Sequence, residues 1–188
     1  MRGARWMSTF VATAVVVLEL CVSSAAGGRP GDVAGARPPA LGHSVNLVDY
    51  TDNDGAASTV ILTGGIGDFG TAVSVDANGA VNPDHNGDLQ LTLSQGTFRL
   101  DVAGLDRKVT AVMSTFPPDL TSCSGTVTAS APAPIVAGSG TGAYRGIRGT
   151  FTLTVTIAEV DAKANCQPGS AFLDQIIVTA GAGTVSST

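Results

Sequence analysis

From Val45 onward the chain alternates between apolar and polar positions. In Thr150–Ile157, Phe151, Leu153, Val155 and Ile157 fall at every second residue, with Thr150, Thr152, Thr154 and Thr156 between them. Side chains on a strand point to opposite faces at period two, so this segment predicts a strand with one dry and one polar face. Leu89, Leu91 and Leu93 repeat the pattern against Gln90, Thr92 and Ser94. Phe98, Leu100 and Val102 do so against Thr97, Arg99 and Asp101. Other runs rich in Val, Thr, Leu, Ile and Phe predict strands over 45–50, 58–64, 69–76, 109–115, 123–130 and 172–180. Asn78-Gly79 and Asn86-Gly87 predict tight turns, because both dipeptides tolerate positive φ at little cost. No window carries a helical period over three turns, and only Ala162 to Asp174 leaves room for a short helical turn. About nine short strands with almost no helix predict an all-β fold: a single closed antiparallel β-barrel of about eight strands or, as the alternative, a β-sandwich.

The N-terminus follows a different pattern. Arg2 and Arg5 precede an apolar run from Phe10 to Leu18, and small residues follow. That order predicts a signal peptide over 1–26, cleaved after Ser24-Ala25-Ala26. The run is too short to span about 30 Å of hydrocarbon, and Glu19 interrupts it. Cys21 offers a minor alternative, a lipid anchor, although Leu20 is bulky where a small residue should precede the cysteine. Residues 27–42 are mostly Gly, Pro and Ala and predict a disordered leader. The β domain is then 43–188, in a protein that is secreted or otherwise extracytoplasmic.

Cleavage takes Arg2, Arg5 and Glu19 with it, so the formal net charge moves from −5 to −6. An acidic chain without a basic patch has nothing to release counterions from nucleic acid, and anionic lipid is disfavoured for the same reason. Neither nucleic acid nor membrane insertion is expected of the mature chain. Two cysteines remain, Cys123 and Cys166, and in an oxidising compartment they most simply form one disulfide. Zinc needs more Cys or His at short spacing than the chain holds. Asp84-His-Asn-Gly-Asp88 and Asp52-Asn-Asp-Gly55 lack the glycine placement and distant Glu of a calcium loop and read as solvated turns. No metal and no cofactor are expected.

Hydrolytic chemistry finds little support. There is no G-x-S-x-G, and the two histidines read as leader (His43) and turn (His85). Arg99, Asp101, Asp68, Arg145, Arg148 and Glu159 are the polar residues on or beside strands that are candidates for a barrel interior. Solvent exposure or a structural ion pair is the plainer expectation for each. The single Trp lies in the signal peptide, which counts against a carbohydrate platform.

Residues 138–149 carry the one specific motif: Gly138, Gly140, Gly142, Gly146 and Gly149 within twelve positions, followed directly by the alternating strand. Five glycines at that density predict positive φ, bulges or close approach of neighbouring chain. A dinucleotide loop would need a helix next, and a strand follows instead. Gly140-Thr-Gly-Ala-Tyr144 with Gly146-Ile-Arg-Gly149 resembles the G-T-G-x-[FY]-x-x-[AV]-R-G segment of the dirigent and allene oxide cyclase-like barrels. That resemblance implies an exported eight-stranded antiparallel barrel whose interior holds a small apolar molecule. It makes Tyr144 and Arg148 the candidate ligand-binding residues, near one mouth of the barrel. The family's acidic and aromatic pocket residues lie outside the matched segment, so no catalytic residue is carried over.

Three functions follow, separated by what fills the barrel. A hollow apolar interior marks a small-molecule binder without turnover, the first expectation. A hollow interior with a buried Asp, Glu or Arg marks a cyclase or coupling-guide enzyme. An interior filled by its own side chains marks a structural or interaction protein of the cell surface.

Overall fold

The computed structural model describes residues 42–52, 57–82, 87–117, 119–167 and 172–187, all within one compact unit, Arg37–Thr188. The expected signal peptide, nearly all of the leader, Cys21 and the turn residues Asn53 to Gly55 and Asp84 to Asn86 lie outside the described residues.

Eight strands form one antiparallel sheet: β1 (His43–Thr51), β2 (Ala57–Gly64), β3 (Asp68–Val75), β4 (Asp88–Leu93), β5 (Gly96–Asp101), β6 (Ser124–Pro134), β7 (Arg148–Asp161) and β8 (Phe172–Ser186). Their order across the sheet is β5-β4-β3-β2-β1-β8-β7-β6. The sheet curls strongly, so the fold is all-β and barrel-like, with no second sheet among the described residues to make a sandwich. Each strand sends alternate side chains inward. On β7 the inward set runs Phe151, Leu153, Val155, Ile157, Glu159 and Asp161, all buried.

The two edges of the sheet meet through the Gly-rich segment that follows β6. Leu100 bridges Ile135, the Val136 amide donates to the Arg99 carbonyl at 2.9 Å, and the Thr141 amide donates to the Thr97 carbonyl at 2.9 Å. The Ala143 amide donates to the Gln95 carbonyl at 2.9 Å, and the Arg99 amide to Ser139 Oγ at 3.0 Å. An edge that would otherwise present free amides and carbonyls is thereby paired. Over the remaining length of β6 a helix takes the place of a partner strand. This is α1 (Ala103–Met113), which packs on β6 and sets Lys108 Nζ 2.6 Å from the Ser130 carbonyl.

α1 corrects the expected strand over 109–115. Val109-Thr110-Ala111-Val112 reads as strand by composition, but the preceding Ala103, Leu105, Arg107 and Lys108 favour helix. Leu105, Val109 and Val112 then fall at i, i+4 and i+7 on the face that packs into the barrel. Asp101 starts the helix by accepting the Ala103 amide at 3.1 Å. His43, expected in the leader, is instead the first residue of β1.

The interior is filled toward one end. Phe98, Phe151, Leu47, Leu62, Leu91 and Leu100 are fully buried there, each contributing on the order of 2 kcal/mol. At that end the Gly-rich corner folds under the barrel as a 3-10 turn, Gly142–Tyr144. Gly142 sits at φ +56, where a Cβ would lie 2.3 Å from the Gln95 carbonyl oxygen, so the corner can approach the β4–β5 turn only because that position has no side chain. At the other end Cys123 and Cys166, 43 residues apart, are joined by a disulfide with Cα atoms 5.4 Å apart.

Candidate functional site

The parity of β1 determines what faces the open half of the barrel. Val45 and Leu47 point inward, so Asp49, two residues further, points inward as well. The register places Asp49 opposite Thr179 of β8 and Val60 of β2. Here the large core side chains give way to a cavity of about 250 Å³. Its apolar wall comes from Leu89 of β4, Leu153, Val155 and Ile157 of β7, Ile177 of β8, and Leu105 and Val109 of α1. Its polar groups are Asp49, Thr51, Ser58, Ser74, Thr179 and, from α1, Asp106. Among the described residues, no Lys, Arg or His lines it.

Asp49 is buried, and its Oδ1 has no hydrogen-bond partner among the described residues. Burial pushes its carboxyl above the ordinary carboxylate range, against the weaker pull of the Ser58 hydroxyl and the Tyr50 amide. An unpartnered carboxyl oxygen inside an apolar wall is costly for a folded protein.

A second buried acidic group lies further along β7. Gln175 of β8 donates its side-chain amide to Glu159 Oε2, and Asp161 Oδ1 has no partner in the protein. Burial raises the Glu159 carboxyl; Gln175 pulls it down, while the neighbouring Asp161 raises it further. Glu159 borders an open depression of about 310 Å³ with Ser124, Asp174 and Gln175.

The residues singled out from the sequence gather at the opposite, filled end. Tyr144 is buried, packs edge-on against Phe98 with ring centroids 5.3 Å apart, and donates its hydroxyl to Asp68 Oδ2 at 2.5 Å. Burial and the Asp68 carboxylate both raise the Tyr144 hydroxyl far above its usual value. Asp68 also accepts the Phe69 amide at 2.8 Å, the Ser94 amide at 3.2 Å, Ser94 Oγ at 2.5 Å and the Gln95 amide at 3.1 Å. Burial alone would raise Asp68, but these donors outweigh it and hold the carboxyl down at about 2. Arg148 is exposed at the start of β7. Neither Tyr144 nor Arg148 lines the cavity. Gly138, Gly142, Gly146 and Gly149 all adopt positive φ, while Gly140 would place a Cβ 1.9 Å from the Tyr144 carbonyl oxygen.

Of the other polar candidates, Arg99 pairs with Asp88 at 3.1 Å, and Asp101 and Arg145 are exposed. Asp49 was not among them, although the inward phase of Val45 and Leu47 marks it. No group of three or more His, Cys, Asp or Glu among the described residues is arranged to hold a metal ion, and no described helix is long and apolar enough to cross a membrane. The chain matches no protein-family model, and no curated protein or solved structure is significantly similar to it.

Proposed function

We propose that the domain binds one small, largely apolar molecule in the cavity beneath α1, with a polar end of that molecule against Asp49. The cavity itself carries this reading: a barrel whose core is close-packed at one end holds about 250 Å³ of apolar-walled space at the other. Sites for drug-sized ligands span about 300–1,000 Å³, so the space suits a smaller molecule. Such sites combine an apolar wall with a few placed polar groups, as here. The test is a titration of the folded, disulfide-bonded protein with 2-phenylethanol, followed by NMR chemical shifts. Saturable shifts at one site are expected, abolished by Val155→Trp, which fills the cavity. The absence of saturable shifts in a well-folded sample, or equal binding by Val155→Trp, overturns the reading.

Asp49 favours a second reading, in which the buried carboxyl donates a proton to the bound molecule, as a cyclase or coupling guide requires. Faster hydrolysis of a small apolar epoxide by the wild-type protein than by Asp49→Asn would support turnover. Asp49 would protonate the oxygen of the breaking C–O bond while water adds to the carbon, and the proton that water releases restores the acid. Equal rates would leave binding alone. We further propose export by the segment 1–26, consistent with the Cys123–Cys166 disulfide. Secreted material should then begin at Gly27 by intact mass, and a retained 1–26 or a lipidated Cys21 would count against it.

A further inference from the structure

We infer that the molecule held in this cavity is an apolar amine, bound as its ammonium ion with Asp49 as the counter-ion. The inference rests on the cavity being a binding site and adds the chemistry of what it selects. Three observations carry it.

Asp49 is buried and lines the cavity, and its carboxyl is short of donors: Oδ1 has no hydrogen-bond partner among the described residues. Among the described residues, the charged groups that line the space are all of one sign. Asp49 comes from β1 and Asp106 from α1; the lining residues of β2, β3, β4, β7 and β8 carry no charge. Glu159 and Asp161, further along β7, add to the same sign at this end of the barrel. Lys108 of α1 is directed to the Ser130 carbonyl on β6. A carboxylate or phosphate ligand would enter against the Asp49 carboxyl, which costs binding. A neutral alcohol satisfies the hydrogen bond but leaves the acid without a counter-charge. An ammonium group supplies both, and its hydrocarbon part covers Leu105, Val109, Val155, Ile157 and Ile177.

Burial raises the Asp49 carboxyl, and an ammonium ion favours its ionised form. Below that raised value, amine binding therefore releases a proton from Asp49. Affinity rises with pH up to the raised pKa of Asp49 and stays level until the amine itself loses its proton, near pH 10 for an alkylamine on the scale of lysine.

The test compares three probes of one shape, 2-phenylethylamine, 2-phenylethanol and phenylacetate, titrated calorimetrically into the full disulfide-bonded protein at neutral pH. The amine should bind at least about tenfold more tightly than the alcohol, and phenylacetate should bind most weakly. Asp49→Asn should remove the amine's advantage, while Asp174→Asn, an exposed acid outside the cavity, should keep it. Amine affinity should fall on acidification, whereas that of the alcohol should not. An alcohol that binds as well as the amine, or an advantage that survives Asp49→Asn, overturns the inference and leaves the cavity reading in place. Failure of all three probes to bind a folded sample overturns both.

Discussion

Asp68 and Asp49 are both buried carboxylates on inward-facing strand positions, yet their surroundings push them in opposite directions. Asp68 accepts five hydrogen bonds and is held at about 2; Asp49 keeps an oxygen without a partner and is raised. Asp68 therefore belongs to the scaffold, joining the start of β3, the β4–β5 turn and Tyr144. Its folded pKa lies below the unfolded value near 4, so its contribution is present above that value and is lost as pH falls toward 2. A shift of that size corresponds to about 2 kcal/mol at neutral pH. Asp68→Asn should lower stability by about that amount in a urea melt at pH 7, with the gap to wild type closing toward pH 2. A loss under about 0.5 kcal/mol would show that these hydrogen bonds are not stabilising. The phase of the strand made Asp49 legible in principle, since Val45, Leu47 and Asp49 share one parity. What strand periodicity does not encode is which inward acid finds donors. Those of Asp68 include Ser94 and Gln95, about 26 residues away, and Tyr144, 76 residues away, brought to it only by the closed fold.

At the scale of elements, the eight strands are legible because β4, β5 and β7 alternate and the others are short runs rich in Val, Thr, Leu, Ile and Phe, and their observed limits extend the predicted ones chiefly at the ends. The helix was not, because Val109 to Val112 is rich in β-branched residues and the helical face is set by Leu105, outside the window that looks like a strand. A helix is what the geometry allows there: β5 and β6 pair only through the segment after β6, so the rest of the β6 edge needs another cover. The closure itself depends on the Gly-rich corner. Gly142→Ala combines a strained φ of +56 with a contact of 2.3 Å to a backbone oxygen, whereas Gly138→Ala has a φ of +77 and open space around it. The Gly138 variant should cost about 1 kcal/mol, and the Gly142 variant at least twice that. Thermal melts of the two proteins check this, and equal losses would show that the corner tolerates a side chain.

The whole molecule is polarised from end to end. Phe98, Phe151 and the leucines pack the end closed by the Gly-rich corner, while the other end gathers Asp49, Glu159 and Asp161, the cavity and the disulfide. The motif pointed to the filled end, because tight packing of backbone leaves a signature in glycine spacing. A hollow leaves none, since the same Val and Ile serve in a filled or an open layer. This polarity has a consequence for stability. Asp49 and Glu159 have folded pKa values raised above their unfolded ones, so the ionised folded form carries a penalty at neutral pH that is relieved as pH falls through those raised values. Asp68 acts in the opposite direction, and only below about pH 4. Stability should therefore rise as pH falls from 7.5 through those raised values and fall again below about pH 4. Relief of general repulsion in a chain of net charge −5 would give a similar rise, but it would persist in any variant that keeps the surface acids. The double variant Asp49→Asn, Glu159→Gln removes only the two buried ionisations and keeps the shape of both side chains. It should raise Tm at pH 7.5 and flatten the profile between pH 7.5 and 5. A variant profile that still climbs as steeply as wild type would place the effect on the surface charge instead.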